Sequence, residues 1–489
     1  MATRASTKAA PAKRAASSSK KTKTKVAEAV KEFFKPDYSD VMDTIERKFK
    51  LGQGSMSKEA RATSQFSSGL LGTDLLLGGG LLPGAWYTIF GGEGSAKSTH
   101  KAHLTIATAN SGIPIVADYD YEGSSQPDYY EGIFEFASSM REIGELYGLK
   151  DDDGNWVTPP KVRYYNPTVA EDFFNSAAST LRRIPNKEFV DGRWWYTWEA
   201  TKEGRVASKG QHSKTMFSKY GRLFIEAENG LPQALYFLDS YPAMYPDALD
   251  EDDKGKGMAA VARAMSENVP KIFSKLRSKG VTIVGVNQLR QRPATMYGNP
   301  EYEPGGETLK FASSVRIRQA ALSVPSGWGK DKENTGVGSE ESMMYDGKDS
   351  YRYIKMKTIK NKLSTPYLTM WQRVWTDDGT GTAHGFCPAF DTFNYLKATG
   401  QISGTMKGLK SPMIDTKKPI TWFDLKGLVV LKGKELKEHC QSLGLAKNPN
   451  LRQKCFDQLR SGKGTQLYFE RMRSKSGGGG DDEGGDDDE

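Results

Sequence analysis

The sequence has few cysteines and no long hydrophobic segment. Its 489 residues include only Cys387, Cys440 and Cys455, which are widely spaced, odd in number and form no Cys-x-x-Cys pair. This pattern argues against a disulfide framework or a structural zinc site and favours a reducing compartment. The longest apolar runs, such as residues 234–238, are far too short to cross a bilayer. We therefore expect no membrane-spanning segment.

Charge is unevenly distributed along the chain. The formal net charge of +9 favours a polyanionic partner. Residues 1–25 carry Lys and Arg but no acid, whereas residues 481–489 are all Asp, Glu or Gly. Three interpretations of the basic tail stay open: a disordered arm that contacts DNA, a flexible tail without a specific role, and an organelle transit peptide. The acidic end is either a DNA mimic that competes for basic surfaces or an inert solvated tail.

The order of apolar segments predicts an α/β fold. Strand-like runs at residues 86–90, 113–118, 234–239 and 281–286 alternate with helical segments between about residues 64 and 320. This alternation predicts a parallel sheet with helices on its faces and ligands at the carboxyl ends of its strands. We divide the chain into a disordered basic tail at 1–36, a helix and linker at 37–63, a core at 64–400 with insertions at about 140–160 and 187–230, a small C-terminal domain at 401–473, and an acidic tail at 474–489.

Several segments of this core and its C-terminal extension have their own patterns. An aromatic run at residues 193–198, followed by a basic polar stretch, predicts an inserted hairpin and loop. Its aromatic residues are either buried in an added domain or form a base-stacking platform. Residues 330–350 predict a loop and residues 351–374 antiparallel strands. Residues 420–473 predict a small helical unit, which is either a SAP-type DNA-binding motif or a plain helix pair.

The segment after the first strand is typical of a phosphate-binding loop. It follows residues 86–90 and opens a helical segment at 100–109, which is the context that a P-loop requires. Glycines let backbone N–H groups surround phosphate oxygens, and a helix N-terminus adds partial positive charge. We expect Lys97 to reach the β- and γ-phosphates of ATP and Ser98 to bind Mg²⁺. The predicted nucleotide-binding residues are Gly91, Gly92, Glu93, Gly94, Ser95, Ala96, Lys97, Ser98 and Thr99.

Ala96 departs from the usual P-loop pattern, which has glycine before the lysine. A positive φ at this position would cost an alanine about 1 kcal/mol, whereas a helical φ would cost nothing. Both conformations are compatible with the sequence.

Two carboxylates follow predicted strands. Asp239 ends the strand at 234–239, and we expect it to bind Mg²⁺ directly or through water, as a Walker B aspartate does. Glu122 lies just past another strand, where it can orient and deprotonate the attacking water. The alternatives are a strand-end aspartate without a ligand and a loop carboxylate that faces solvent.

The stretch from Asn287 to Arg316 resembles, without a gap, the second DNA-binding loop of the RecA recombinase family and its flanks. Residues 45–56, 69–84 and 120–122 are also similar to that family, so the resemblance covers roughly residues 40–400 with interruptions. It separates the chain from DnaB-type helicases and KaiC-like ATPases. The fold that it implies is a RecA-like P-loop ATPase core with a mostly parallel twisted sheet, an N-terminal helix that docks on a neighbouring subunit, an inserted hairpin and a small C-terminal helical unit.

The resemblance also implies roles for residues outside the P-loop. Tyr129 would stack on adenine, Gln288 would contact the γ-phosphate, and Lys360 and Lys362 would reach the nucleotide of a neighbouring subunit. Together with Lys97 and Glu122, Gln288 and the two lysines form the implied catalytic set. The implied DNA-binding residues are Arg290, Arg292, Met296, Tyr297, Gly298, Asn299, Gly305 and Gly306.

A protein of this family would need ATP and Mg²⁺, form a helical filament on single-stranded DNA, and exchange strands with double-stranded DNA. The resemblance further implies single-strand-binding and loader proteins as partners. It implies a cytoplasmic, nucleoid-associated location, unless the basic tail directs the protein to an organelle. The alternatives are a RecA-fold motor or regulatory ATPase without strand exchange, and a DNA-coating protein with a degenerate nucleotide site.

Overall fold

The computed structural model describes residues 58–137, 142–199, 216–219, 222–246, 257–291, 301–322, 343–346, 349–377, 384–405 and 407–477. The basic tail, the helix predicted from Tyr38 to Phe49, the central part of the predicted DNA-binding loop and the acidic tail after Gly477 lie outside these ranges, whereas residues 474–477 of the predicted tail continue the last helix. What the sequence indicates for those segments, and for the domain boundaries, stays a prediction.

The helices are α1 Lys58–Ser64, α2 Leu71–Leu76, α3 Lys97–Ala109, α4 Pro127–Ala137, α5 Ile143–Tyr147, α6 Ala170–Arg183, α7 Gly257–Lys279, α8 Gly306–Ala312, α9 Pro388–Ala398, α10 Trp422–Val430, α11 Gly433–Ser442, α12 Leu451–Arg460 and α13 Lys463–Gly477. The strands are β1 Trp86–Gly91, β2 Ile115–Asp120, β3 Leu149–Lys150, β4 Trp156–Thr158, β5 Arg163–Tyr165, β6 Asn186–Val190, β7 Arg193–Glu199, β8 Met216–Lys219, β9 Arg222–Glu226, β10 Ala234–Asp239, β11 Val281–Gln288, β12 Arg290–Gln291, β13 Glu301–Tyr302, β14 Val315–Leu322, β15 Met343–Asp346, β16 Asp349–Asn361, β17 Thr369–Asp377, β18 Gly385–Phe386, β19 Ser403–Thr405 and β20 Gly408–Lys410. Within the described ranges, none of the helices combines the length and the apolar character needed to span a bilayer.

A ten-stranded sheet forms the centre of the described chain. Its strand order is β18-β17-β16-β14-β1-β11-β10-β2-β5, and β15 pairs with β16. The strands from β14 to β5 in this order run parallel, whereas β15, β16, β17 and β18 are added antiparallel. This confirms the predicted α/β fold class with a mostly parallel sheet. Because the parallel strands share one direction, their carboxyl ends meet along one edge, where ligands bind in such folds.

Both faces of the central sheet are buried. On β10, Leu235 and Phe237 enter one hydrophobic cluster together with apolar residues of α3. Tyr236 and Leu238 point to the other face and enter a second cluster with residues of α6 and α7. Burial on both faces explains why these strands read as nearly continuous apolar runs in the sequence.

The predicted elements around the site agree closely with the observed ones. β10 has the predicted bounds, and β1 and β11 extend one and two residues beyond theirs. α3 begins at Lys97, three residues before the predicted helical segment. β2 begins and ends two residues later than predicted, because Pro114 has no N–H to donate to a neighbouring strand.

Two segments differ from their predictions. Residues 187–230 hold more than a hairpin, since β6, β7, β9 and β8 form a separate four-stranded antiparallel sheet. Trp195 is buried in this sheet and the indole N–H of Trp194 donates to Oγ1 of Thr63, which supports the interpretation as packed aromatics. Residues 330–350 include β15, so the predicted loop is wrong for those four residues, which pair with β16.

The C-terminal helices pack on the main core. Trp422 of α10 and Cys455 of α12 belong to the same hydrophobic cluster as the central sheet. The guanidinium of Arg452 on α12 donates to the buried carboxylate of Asp391 on α9 at 2.7 Å. The guanidinium of Arg373, which is buried, lies 4.8 Å from the ring centre of Trp422. The predicted helical unit is therefore present and tied to the core by both apolar and charged contacts.

Candidate nucleotide-binding site

The P-loop connects β1 to α3 at the carboxyl edge of the central sheet. A Cβ atom at Gly91 would lie 2.1 Å from the carbonyl oxygen of Gln319 on β14, so only glycine fits there. Gly94 and Ala96 both have left-handed backbone conformations, with φ of 68° and 60°. Ala96 therefore has the positive φ rather than a helical one, and this conformation costs an alanine about 1–2 kcal/mol. The loop thus has a left-handed backbone at this position even though the residue is alanine.

Lys97 lies inside the loop that it closes. Its Nζ donates to the backbone oxygen of Gly92 at 2.6 Å and to Oγ of Ser95 at 3.4 Å. Burial lowers the pKa of Lys97, while the carboxylates of Asp239 and Glu122 act in the opposite direction. The ammonium group therefore occupies the cradle, within the electrostatic field of the two carboxylates predicted to act with it.

Asp239 is a buried carboxylate at the tip of β10. Its side chain is 1% exposed, and neither carboxylate oxygen has a hydrogen-bond partner among the described residues. Burial raises the pKa of Asp239 to about 6, although the charge of Lys101 acts to lower it. Two open carboxylate oxygens beside the exposed Ser98 hydroxyl fit a Mg²⁺ ion, which commonly takes one or two protein oxygens together with phosphate oxygens and water. The described residues contain no cluster of three His, Cys, Asp or Glu that could hold a metal by itself.

Glu122 contacts two side chains at the carboxyl ends of the neighbouring strands β10 and β11. Its Oε1 accepts a hydrogen bond from Nε2 of Gln288 at 3.1 Å and another from Oγ of Ser240. Ser240 directly follows Asp239 at the end of β10, and Gln288 ends β11. The predicted catalytic carboxylate and the predicted γ-phosphate contact therefore touch each other.

A second lysine of the P-loop helix is buried beneath Asp239, and the sequence did not lead us to it. Nζ of Lys101 lies 3.0 Å from both carboxylate oxygens of Asp118 and 3.7 Å from Oδ2 of Asp239. Burial acts to lower the pKa of Lys101, but the charge of Asp118 outweighs it and the pKa is raised. Lys101 lies four residues after Lys97, so both lysines are on one face of α3. This spacing is the feature of the sequence that could have indicated a role for Lys101.

Tyr129 and Arg352 flank the P-loop. The hydroxyl of Tyr129 is hydrogen-bonded to Oγ1 of Thr99 at 2.5 Å. Its ring is nearly parallel to that of His384, with 6.0 Å between the ring centres and 12° between the planes. Arg352 on β16 was not predicted, and its Nη1 lies 3.4 Å from the position of a Cβ atom at Gly94. An aromatic ring and a guanidinium group are therefore available beside the phosphate cradle.

Lys360 and Lys362 do not face the P-loop of their own subunit. On β16, Lys360 lies opposite Arg316, which is level with Thr88, about 10 Å before the end of β1. Lys362 lies just past the end of β16, two residues farther from the P-loop. Nζ of Lys360 donates to the carbonyl oxygen of Phe311 at 3.2 Å, and the side chain of Phe311 is 70% exposed. The two lysines thus lie on a different edge of the molecule, next to an exposed apolar side chain.

The predicted DNA-binding loop begins on a short hairpin directly after Gln288. β12 and β13 pair Arg290 with Tyr302 and so close the base of the loop. Gly305 and Gly306, with φ of 94° and 73°, follow β13 and lead into α8. The other predicted DNA contacts lie outside the described residues: Arg292, Met296, Tyr297, Gly298 and Asn299.

Comparisons with known proteins agree with this arrangement. The model of the RecA N-terminal domain family matches residues 233–380. "Protein RecA" of Trichodesmium erythraeum is 28% identical over 332 residues, which cover 67% of this chain and 67% of that protein. "Protein RecA" of Lactococcus lactis subsp. cremoris (strain MG1363) is 26% identical over 340 residues, covering 67% and 64%. The chain thus matches about two thirds of the length of these relatives.

The RadB recombinase crystal structure is 14% identical, with a TM-score of 0.33, and the match covers 63% of this chain and 94% of that one. The matches to curated relatives are spread over two thirds of the chain, and the family-model match contains Asp239, Gln288 and Lys360. The chain is therefore similar to RecA-type recombinases over about two thirds of its length.

Proposed function

We propose that this chain is a DNA-dependent ATPase that forms a helical filament on single-stranded DNA and catalyses homology search and strand exchange. The observation that supports this most directly is the 3.1 Å hydrogen bond from Gln288 to Glu122. It joins the residue suited to act on the attacking water to a residue that lies two positions before the first strand of the predicted DNA-binding hairpin. Nucleotide state and DNA contact would then depend on the same side chains.

Hydrolysis would take place in a cradle that is already formed. P-loop N–H groups and Lys97 would bind the phosphates, and Glu122 would accept a proton from the attacking water. Mg²⁺, held by Ser98 and Asp239, would neutralise charge on the phosphate oxygens. Preformed charges of this kind stabilise the transition state because they need little reorganisation during the reaction.

Gln288 is suited to transmit the nucleotide state to the DNA-binding loop. Its amide N–H is bonded to Glu122, whose Oε1 also accepts from Ser240. A γ-phosphate oxygen is a charged acceptor like the Glu122 carboxylate and would compete for that amide. Its arrival would draw Gln288 away, release Glu122 for the attacking water, and move the first residue pair of the DNA-binding hairpin.

Lys360 and Lys362 would serve the nucleotide of the next subunit. Their distance from their own P-loop supports a site completed by a neighbour, and a head-to-tail contact of that kind produces a helical filament. The exposed Phe311 beside Lys360 supplies apolar surface for such a contact. Hydrolysis would then require assembly, and assembly is promoted by binding along a DNA strand.

The test is ATP hydrolysis with and without single-stranded DNA, followed by D-loop formation. We expect DNA to stimulate the wild type and Lys97→Ala to abolish hydrolysis, because the variant lacks the ammonium group in the cradle. Lys271→Ala, which removes an exposed lysine of α7, is the matched control and should behave like the wild type. Hydrolysis that ignores DNA would contradict the proposal. DNA-stimulated hydrolysis without D-loops would instead identify a motor or regulatory ATPase.

A further inference from the structure

The nucleotide site contains more buried charge than the proposed hydrolysis uses. β2 and β10 lie side by side and bring Asp118, Asp120 and Asp239 to one edge of the sheet. Among these carboxylates lies the ammonium group of Lys101, whose side chain is 1% exposed. It is 3.0 Å from both oxygens of Asp118 and 3.7 Å from Oδ2 of Asp239. This ion pair has no part in phosphate binding, so its role must lie elsewhere.

Asp118 is held in place from several sides. In addition to Lys101, the hydroxyls of Tyr130 and Tyr147 donate to its Oδ2, at 3.3 Å and 3.1 Å. Tyr147 ends α5, in the segment that the sequence predicted as an insertion. With its oxygens occupied in this way, Asp118 is not available to a metal ion and instead fixes the position of Lys101.

Asp120 is also fully engaged. It accepts from the backbone N–H groups of Glu122 at 3.1 Å and Ser125 at 2.9 Å, and from the hydroxyl of Tyr164 at 3.0 Å. Asp239 differs from both of its neighbours, because neither of its oxygens has a hydrogen-bond partner among the described residues. The one cation within 4 Å of Asp239, in that part of the chain, is Lys101.

We propose that the Lys101–Asp118 ion pair is a positioning device for Asp239, the carboxylate assigned to Mg²⁺ in the proposed function. Lys101 attracts Oδ2 from within the protein, which leaves Oδ1 as the oxygen available to the metal ion. Lys97 is the other lysine that interacts electrostatically with Asp239. Without Lys101, Asp239 would pair with Lys97, and both groups would be withdrawn from the nucleotide. Lys101 is thus a positioning residue and does not touch the substrate.

The test compares the wild type with a double variant, Lys101→Met with Asp118→Leu. Replacing both members by apolar residues of similar size leaves neither Lys101 nor Asp118 as a lone buried charge, although it also takes from buried Asp239 its nearest cation. The readout is the binding of a fluorescent, non-hydrolysable ATP analogue as Mg²⁺ is titrated. We expect the half-saturating Mg²⁺ concentration to rise about tenfold, as for other residues that orient metal ligands, whereas the affinity at saturating Mg²⁺ changes less than about threefold.

Lys187→Met is the matched control for the loss of a buried lysine. Lys187 is 6% exposed, and its Nζ donates to the carbonyl oxygen of Leu231, which precedes β10 and so lies at the opposite end of that strand from Asp239. This variant should keep the wild-type Mg²⁺ titration. A Mg²⁺ shift in the control as large as that in the double variant would overturn the proposal.

Tyr147→Phe is a milder variant that removes a single hydroxyl from Asp118. It should raise the half-saturating Mg²⁺ concentration by about two- to threefold, as expected for a weakened outer partner of a metal ligand. If the double variant does not fold, this variant provides the test of the proposal. An unchanged midpoint in either folded variant would show that the ion pair only supports the fold. If the wild type binds the ATP analogue equally well with and without Mg²⁺, the proposed function is contradicted. That outcome differs from an unchanged midpoint in the variants, which contradicts only this inference.

Discussion

Alanine in place of Gly91, Gly92 or Gly94 should have three different effects, because the three glycines have different surroundings. At Gly91 the new Cβ would lie 2.1 Å from the carbonyl oxygen of Gln319. Non-bonded carbon and oxygen atoms come no closer than about 3.3 Å, so β1 and β14 would have to separate by about 1 Å. Because the obstructing oxygen belongs to the backbone of the next strand, no side-chain rotation can relieve the clash.

The expected costs follow from these surroundings. Gly91→Ala should lower the free energy of unfolding by about 3 kcal/mol or more, as overpacking of a rigid site does. Gly94 has a φ of 68°, and a Cβ there would meet only the flexible guanidinium of Arg352 at 3.4 Å. Gly94→Ala should therefore cost about 1–2 kcal/mol from the left-handed backbone alone. Gly92 has no atom within 4 Å of a Cβ position, so Gly92→Ala should be neutral or stabilise by up to about 1 kcal/mol.

Urea denaturation without nucleotide measures this order of stabilities, with a fluorescent ADP analogue as a second readout of the folded loop. We expect the denaturation midpoints to rank Gly92→Ala highest, Gly94→Ala next and Gly91→Ala lowest. A Gly91→Ala protein as stable as the wild type would refute the close approach of β1 and β14 on which the P-loop geometry depends.

Three further predictions concern the shared site, its protonation and the DNA contact. Glu122→Gln and Lys360→Ala should each be inactive alone, but an equimolar mixture should regain roughly a quarter of the wild-type ATPase rate. In a random mixture, one interface in four joins an unchanged Glu122 to an unchanged Lys360 of the next subunit. No recovery would contradict a site shared between subunits. Without nucleotide or Mg²⁺, Asp239 should contribute a fall in the free energy of unfolding as the pH rises from about 4 through 6, because folded Asp239 keeps its proton to higher pH than the unfolded chain does, while the buried neutral His100 and His103 contribute in the opposite direction. Asp239→Asn should lack this fall in urea midpoints, and an identical pH profile would show that Asp239 is not buried as described. Arg290→Ala should reduce the slope of log affinity for single-stranded DNA against log salt by about 0.7, and an unchanged slope would remove Arg290 from the phosphate contacts.

The positions of the nucleotide-binding residues could be predicted from local sequence. A glycine-rich turn between a strand and a helix specifies its own backbone, so the P-loop and α3 follow from residues that are neighbours in the chain. Asp239 ends its strand at the predicted residue, because the apolar run and the carboxylate lie side by side in the sequence. The left-handed conformation of Ala96 could not be predicted, since it depends on how β1 and α3 are placed by the rest of the fold.

The contacts that join distant segments were not predictable in the same way. Lys101 and Asp118 meet only because α3 packs on β2: the spacing of Lys101 from Lys97 places it on one face of α3, but nothing in the sequence indicates that this face meets Asp118. Tyr147 reaches Asp118 from a segment that the sequence marked only as an insertion. The aromatic run predicts only a hairpin where the structure has a four-stranded sheet, because a long basic stretch separates the first two strands of that sheet from β8 and β9. Charge pairs across a sheet require three-dimensional information that one sequence does not contain.

The central claim is that Gln288 couples nucleotide to DNA, and ATP hydrolysis by Gln288→Ala with and without single-stranded DNA tests it most directly. Gln291→Ala is the matched control, because Gln291 lies on the same hairpin, where it pairs with Glu301. We expect Gln288→Ala to bind the ATP analogue and DNA but to lose the stimulation of hydrolysis by DNA, while Gln291→Ala keeps it. Full stimulation in Gln288→Ala would contradict the account.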